Sequence, residues 1–385
     1  MKIAFLTPEY PHPKTGTAGG IGTSIFNLSK ALLSLGHEVS VLVYQQNQDD
    51  YFIEDGIHFY RIKNIKLKGL SLILTQKKVE KLINSLYDSG KIDIVEAPDW
   101  TGFTAFIKPK CPLVIKEHGS DTYFCYLDKR KVKFKNKFLE KRALKNADGI
   151  ISVSAFTGHL TNELFGINRN FTVIHNSIDA TLFEPKQSES NTLSILYFGT
   201  IIRKKGLLEL PEIFNLVHNS NKNVELILVG KDSADIKTAR SSTWQLMLTL
   251  FNETALRKVT YLGPVDYFKI QNLIKDATVC VFPSFAEAFP VSWLEAMAMG
   301  KAIVASNIGW ATEMIEDGKE GFLVHPKSHL HYANNIVDLL NRPNRRMQFG
   351  LAARLKVLKN FRDEEVAKQS VIFYKKLITN DRCIL

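Results

Sequence analysis

The chain has 385 residues, 45% of them hydrophobic and 23% charged, with a mean hydropathy of −0.08. That is enough apolar material for two or three ordinary cores, and it excludes collagen-like and disordered classes. The formal net charge is +11, and residues 129–145 account for most of it, with nine basic residues and one acid, Glu140.

The first apolar run, residues 2–6, is too short for a signal-peptide core and predicts a strand. Residues 23–35 predict a helix, with Ile25, Leu28, Leu32 and Leu35 on one face and Gly36 at its end. Further strands are expected at 39–44, 92–97, 113–118, 149–154 and 171–176, with helices between. Residues 184–192 are polar and contain Pro185, which predicts a linker. The alternation then resumes with strands at 193–199, 224–230, 259–263, 277–284, 302–306 and 321–324. After Val324 the pattern is helical to the end. Strand–helix alternation broken once implies an α/β protein with two doubly wound, Rossmann-like domains facing across a deep cleft. They are expected at 1–183 and 193–360, with a C-terminal helix over 361–385. No run is long and apolar enough to span a membrane. The four cysteines, Cys111, Cys125, Cys280 and Cys383, include no C-x-x-C pair, which fits a reducing cytoplasm.

Doubly wound sheets bind ligands at the carboxyl ends of their strands, so motifs matter most in the loops that follow strands. Gly19 and Gly20 open the 23–35 helix, where backbone N–H groups can meet a phosphate. A dinucleotide site fits poorly. The glycines lie about a dozen residues past the first strand, and the second strand ends without an acid. His118 ends a strand just before Gly119. Arg203, Lys204 and Lys205 sit in a loop that opens a helix, where cations oppose the helix dipole, and a bound anion would explain them. Glu287 and Glu295, with seven residues between them, flank Pro290, which suits a first helical position. Beyond it the Val291 and Ser292 amides are expected to face a phosphate.

In combination, GGIG at 19–22, His118, the 199–206 glycine–lysine loop, the Glu287–Glu295 pair and residues 309–324 resemble the family 4 glycosyltransferases. These are retaining enzymes of the GT-B fold that use nucleotide sugars. The resemblance implies residue roles. Gly19 and Gly20 would contact donor phosphates, and His118 would lie beside the transferred sugar. Lys205 would bind the diphosphate, Glu287 the sugar and Glu295 the ribose. The backbone of Phe289, Pro290, Val291 and Ser292 would meet the phosphate, Val265 would line the donor pocket, and the last helix, over 363–379, would return onto the first domain. Two positions depart from the family pattern. Thr200 stands where an arginine is usual, leaving Arg203 to replace it by reach, and Pro290 stands where a glycine is usual. No metal ligand set and no cofactor beyond the donor is expected.

The implied reaction moves a sugar to a hydroxyl of a glycan or lipid-linked acceptor, in surface polysaccharide or glycolipid synthesis. Trp100 and Phe103 are candidates for stacking on the acceptor. Phe134 and Phe138 punctuate the basic run, and Lys63, Lys66, Lys68, Lys77, Lys78 and Lys81 add a second basic region. A basic helix with an apolar edge suits an anionic membrane surface, so a peripheral position on the cytoplasmic face is expected. A solvated lysine-rich face is the plain alternative. Nucleic acid is not expected as a partner, since no matching motif occurs. Two other readings of the same scaffold are a nucleotide-sugar epimerase and a non-catalytic membrane-binding protein.

Overall fold

A computed structural model describes residues 1–16, 18–185, 192–266 and 269–382. The polar stretch at 184–192 lies, apart from its ends, outside the described residues. By contacts the chain forms two units, Met1–Ser177 with the segment from Arg362 onward, and Ile178–Phe361. The division falls after Ser177, ahead of the polar stretch. The Ile178 amide donates to Phe361 O at 3.0 Å, and Arg354 Nη1 donates to the carbonyls of Ala180 and Phe183 at 2.9 and 3.0 Å. Residues 178–183 are thereby held within the second unit.

The first unit runs β1 (Lys2–Thr7), α1 (Gly20–Ser34), β2 (Glu38–Gln46), β3 (Asp50–Glu54), β4 (Ile57–Lys63), α2 (Ser71–Asp88), β5 (Ile94–Pro98), β6 (Leu113–Glu117), α3 (Asp121–Leu127), α4 (Phe134–Asn146), β7 (Gly149–Ser152), α5 (Ala155–Phe165) and β8 (Thr172–Val173). Its sheet order is β3-β4-β2-β1-β5-β6-β7-β8, parallel except for the β3–β4 pair. The central strands are buried over nearly their whole length, as a parallel sheet covered on both faces requires. The β3–β4 hairpin is an addition to the sequence reading. Asp55-Gly56, both at positive φ, is the short-range hairpin signal that gives it away.

The second unit runs β9 (Ser194–Phe198), α6 (Leu210–Ser220), β10 (Glu225–Val229), α7 (Thr243–Leu248), α8 (Glu253–Leu256), β11 (Val259–Tyr261), α9 (Ile270–Asp276), β12 (Val279–Phe282), α10 (Val291–Ala298), β13 (Ile303–Ala305), α11 (Ala311–Met314), β14 (Gly321–Leu323), α12 (His329–Asn341) and α13 (Pro343–Asn360). All of its strands are parallel, in the order β11-β10-β9-β12-β13-β14.

The last helix, α14 (Asp363–Arg382), belongs to the first unit. Val366, Ala367, Val371 and Tyr374 join the core cluster that holds Leu28 and Leu32 of α1. Tyr374 Oη donates to Glu96 on β5 at 2.5 Å. Glu96 and Lys116 are both fully buried, and each offsets part of the other's desolvation. No helix among the described residues is long and apolar enough to cross a membrane.

Candidate functional site

In the second unit the predicted residues gather at the carboxyl ends of β9 and β12. β9 ends at Phe198, and the chain turns through Gly199 into a short 3-10 turn, Arg203–Lys205. This turn is fastened to the loop after β12. The amides of Phe285 and Ala286 both donate to Lys204 O, at 2.8 and 3.2 Å. Gly206 closes the turn at φ +73, and a Cβ there would fall on the Pro283 carbonyl oxygen, so only glycine permits so close an approach.

This fastening brings Lys205 and Glu287 together. Lys205 Nζ lies 3.1 Å from Glu287 Oε1, with both side chains mostly buried. Ser284 Oγ donates to the same oxygen at 3.2 Å, and Ser306 Oγ donates to Ser284 O beneath it. Tyr197 lies under the loop and donates from Oη to Thr200 O at 3.0 Å. Burial, with the Glu287 charge adding, keeps its phenol protonated far above the ordinary range.

Arg203 is placed differently. Its Nε and Nη2 donate to the two carboxylate oxygens of Asp235 at 2.7 and 2.8 Å. The arginine, with the Thr238 hydroxyl and amide, holds that carboxyl well below the usual range. The sequence reading missed Asp235, which lies in the polar loop after β10 with no motif to mark it.

Pro290 stands just outside α10, not at its first helical position, because its ψ of 124° is extended. The helix opens at Val291, and the Trp293 amide reaches back to Pro290 O at 3.2 Å. The Val291 and Ser292 amides come before any helical acceptor. Phe289 is buried edge-on against Phe361, so it offers only its backbone. Glu295 sits in the second turn of α10 and is 6% exposed. Val265 follows β11 and is half-buried.

In the first unit, Gly19 precedes α1 in extended backbone and Gly20 is its first residue. A Cβ at Gly20 would meet nothing within 4 Å, and one at Gly19 would lie 3.3 Å from Glu9 Oε1. The Glu9 carboxylate also accepts from the Gly22 amide at 3.0 Å, so an acid caps this helix start. His118 follows β6 and is 9% exposed. Burial, then the Lys116 charge, holds its imidazole well below the ordinary value, so it is neutral near pH 7. Phe103 is corrected from an acceptor-stacking candidate to a core residue. It is 7% exposed and stacks on Tyr44 at 3.8 Å. Trp100 remains partly exposed, edge-on to Phe124 at 6.4 Å.

Two family models match the chain. "Glycosyltransferase Family 4" covers residues 18–182 and "Glycosyl transferases group 1" covers residues 179–356. The alpha-maltose-1-phosphate synthase of Mycolicibacterium smegmatis is 25% identical, over 98% of this chain and 100% of its own. A sucrose-phosphate synthase from Thermosynechococcus elongatus superposes with a TM-score of 0.79 at 20% identity, covering 99% and 100% of the two chains. Anabaena HepE, solved in complex with UDP-glucose, superposes with a TM-score of 0.75 at 20% identity, covering 98% and 100%. These neighbours share the GT-B arrangement of two parallel-sheet domains. With matched domains running from residue 18 to residue 356, this chain belongs to the family 4 glycosyltransferases.

Proposed function

We propose that the chain transfers a sugar from a nucleotide-diphosphate-sugar to a hydroxyl of a glycan or lipid-linked acceptor, with retention at the anomeric carbon. The observation that carries this is the Lys205–Glu287 pair, fixed under the ends of β9 and β12 beside the start of α10. A diphosphate leaving group develops negative charge as the sugar departs. Lys205 and the Val291 and Ser292 amides are the groups that neutralise it. Arg203 contributes through the charge it shares with Asp235. Glu287, released from Lys205 as the phosphates arrive, binds the sugar hydroxyls, and Glu295 takes the ribose. Val265 lines the donor pocket. Gly19, Gly20 and a neutral His118 are the first unit's contributions. The departing phosphate accepts the acceptor's proton on the face it leaves, so the reaction needs no paired carboxylates at glycosidase spacing. No obligatory metal is required in this reading, and turnover is expected to survive EDTA.

The UDP-glucose complex of HepE makes uridine sugars the first donors to try. A thermal-shift panel of UDP, GDP, ADP and CMP sugars tests the reading. A ligand at about 100 times its Kd adds about 2.7 kcal/mol, which is several degrees for domains of this size. A rise with one nucleotide family, followed by free nucleotide as product, supports transfer. An isomerised nucleotide sugar as product instead assigns the epimerase reaction. No shift with any of them removes the donor site from this chain.

We also propose that the first unit rests on an anionic membrane surface at the cytoplasmic face, where a lipid-linked acceptor for polysaccharide or glycolipid synthesis would be met. Phe134 and Phe138, one turn apart on α4, are 85% and 50% exposed among exposed Lys131, Lys133, Lys135, Lys137 and Lys145. Leu67, Leu70 and Ile73 are exposed beside Lys66 and Lys68 at the start of α2. Both patches flank one segment, since Gln76 donates to Phe103 O at 2.8 Å and Arg142 to Ala105 O at 2.9 Å. Basic side chains around exposed apolar ones fit lipid head groups above an acyl boundary. Co-sedimentation with phosphatidylglycerol vesicles, weakened by salt and by the Phe134→Ser/Phe138→Ser pair, is expected. Equal binding to phosphatidylcholine vesicles would sink the idea.

A further inference from the structure

The turn that carries His118 is held by acids from two other elements. The His118 amide donates to Asp99 Oδ1 at 3.0 Å. At the other end, the Asp121 and Thr122 amides donate to the two carboxylate oxygens of Glu140, at 2.9 and 3.2 Å. The Thr122 hydroxyl donates to Glu140 as well, and Ser120 Oγ accepts from the Tyr123 amide at 3.2 Å. Asp99 follows β5, and its own amide donates to Lys116 O at 3.1 Å, so the ends of β5 and β6 are laced together. Glu140 comes from α4. A Cβ at Gly102, three residues past Asp99, would collide with the Leu139 backbone, which shows how tightly that segment is pressed on α4.

These acids are poor choices for stability alone. Asp99 is 1% exposed and Glu140 is fully buried. The nearby cation, Lys116, is balanced by Glu96. Among the described residues, Asp99 Oδ2 and the Oε2 of neighbouring Glu117 have no hydrogen-bond partner. Burial, with the Glu140 charge adding, pushes Asp99 up to about 8, and burial, with the Asp121 charge adding, pushes Glu140 up to about 7. A buried carboxyl without a cation costs free energy that a neutral side chain would not. Such costs collect where a backbone must be held for function.

We infer that Asp99 and Glu140 are positioning residues for His118, clamping the turn at residues 118–122 from both ends so that the imidazole is presented in one place. The inference rests on the reading of His118 as a site residue. Neither acid touches a reacting atom, and each acts through the backbone of the turn.

The test measures nucleotide release with whichever of the UDP, GDP, ADP and CMP sugars raises the melting temperature, on the full chain. Asp99→Ala is expected to lower kcat by about 10²-fold, the cost of a small misplacement, with the donor KM nearly unchanged. Asp99→Asn keeps the accepting oxygen and is expected to restore most of that rate. Glu140→Gln keeps the volume but turns an N–H2 group toward one of the two amides. It is expected to fold and to lose turnover, and it carries the test if Asp99→Ala does not fold. In a His118→Ala background neither substitution should cost anything further, because the group they position is gone. Wild-type turnover in both Asp99→Ala and Glu140→Gln, with His118→Ala impaired, overturns this inference alone. So does a full additional loss in the His118→Ala background. Wild-type turnover in His118→Ala overturns the site reading and this inference together, as does the absence of turnover with every donor.

Discussion

Lys205 illustrates how much one residue can be asked to do. Its ammonium is matched by Glu287 and built into a turn fastened to the next loop. Lys205→Ala is expected to lower transfer by about 10²- to 10³-fold, comparable with loss of one oxyanion donor. An unchanged melting temperature within a few degrees would show that the fold survives. Asp235 gives a pH prediction of its own. Its folded-state carboxyl titrates below the unfolded value, so its stabilisation is present above the ordinary carboxylate range and lost as pH falls through the folded value. Asp235→Asn should therefore flatten the decline in melting temperature below about pH 4, where unfolded aspartate titrates. Asp99 has the opposite sign. Its folded value of about 8 lies above the unfolded one, so the folded chain is penalised progressively as pH rises toward 8. The advantage of Asp99→Asn in melting temperature should grow from about pH 4 and then level off near pH 8. A constant difference across that range would contradict the burial argument. None of these partnerships is visible in sequence, since Arg203 and Asp235, or Asp99 and His118, meet only when separate strand ends are brought side by side.

Elements are where the sequence was most legible. Runs such as 113–118 and 277–284 are buried on both faces, which only a covered parallel sheet explains, and β6 and β12 form within them. The β3–β4 hairpin was harder to see because it alternates weakly, with Tyr51 and Ile53 exposed, and only Asp55-Gly56 announces it. The helix α14 is bound by packing and by one buried hydroxyl. Tyr374→Phe strips the Glu96 carboxylate of that donor beside Lys116. A buried acceptor left unsatisfied costs about 1–3 kcal/mol. Chemical denaturation should show that loss in the transition of the first unit. A variant as stable as the parent would mean that Glu96 finds another donor.

For the whole molecule, the first unit is completed by residues that come last in the chain. Removing residues 362–385 would expose the cluster against which Val366, Val371 and Tyr374 pack, at about 1.5–3 kcal/mol for each large side chain. Calorimetry of that truncation should show the first unit's transition lowered or lost while the second unit's persists. The sequence by itself determined the class of fold, because strand and helix periods are local and parallel strands must alternate with crossovers. It also carried the family, since the glycines, His118, Lys205 and the two glutamates come in a fixed order, in loops after strands or at the starts of the helices that follow them. Only the tertiary structure decided which charges are matched and which side chains are covered. It turned Arg203 onto Asp235, buried Phe103 against Tyr44, set Pro290 ahead of its helix and placed two acids around the His118 turn. The physical reason is that pairing and burial depend on residues distant in sequence that close packing brings within hydrogen-bond reach.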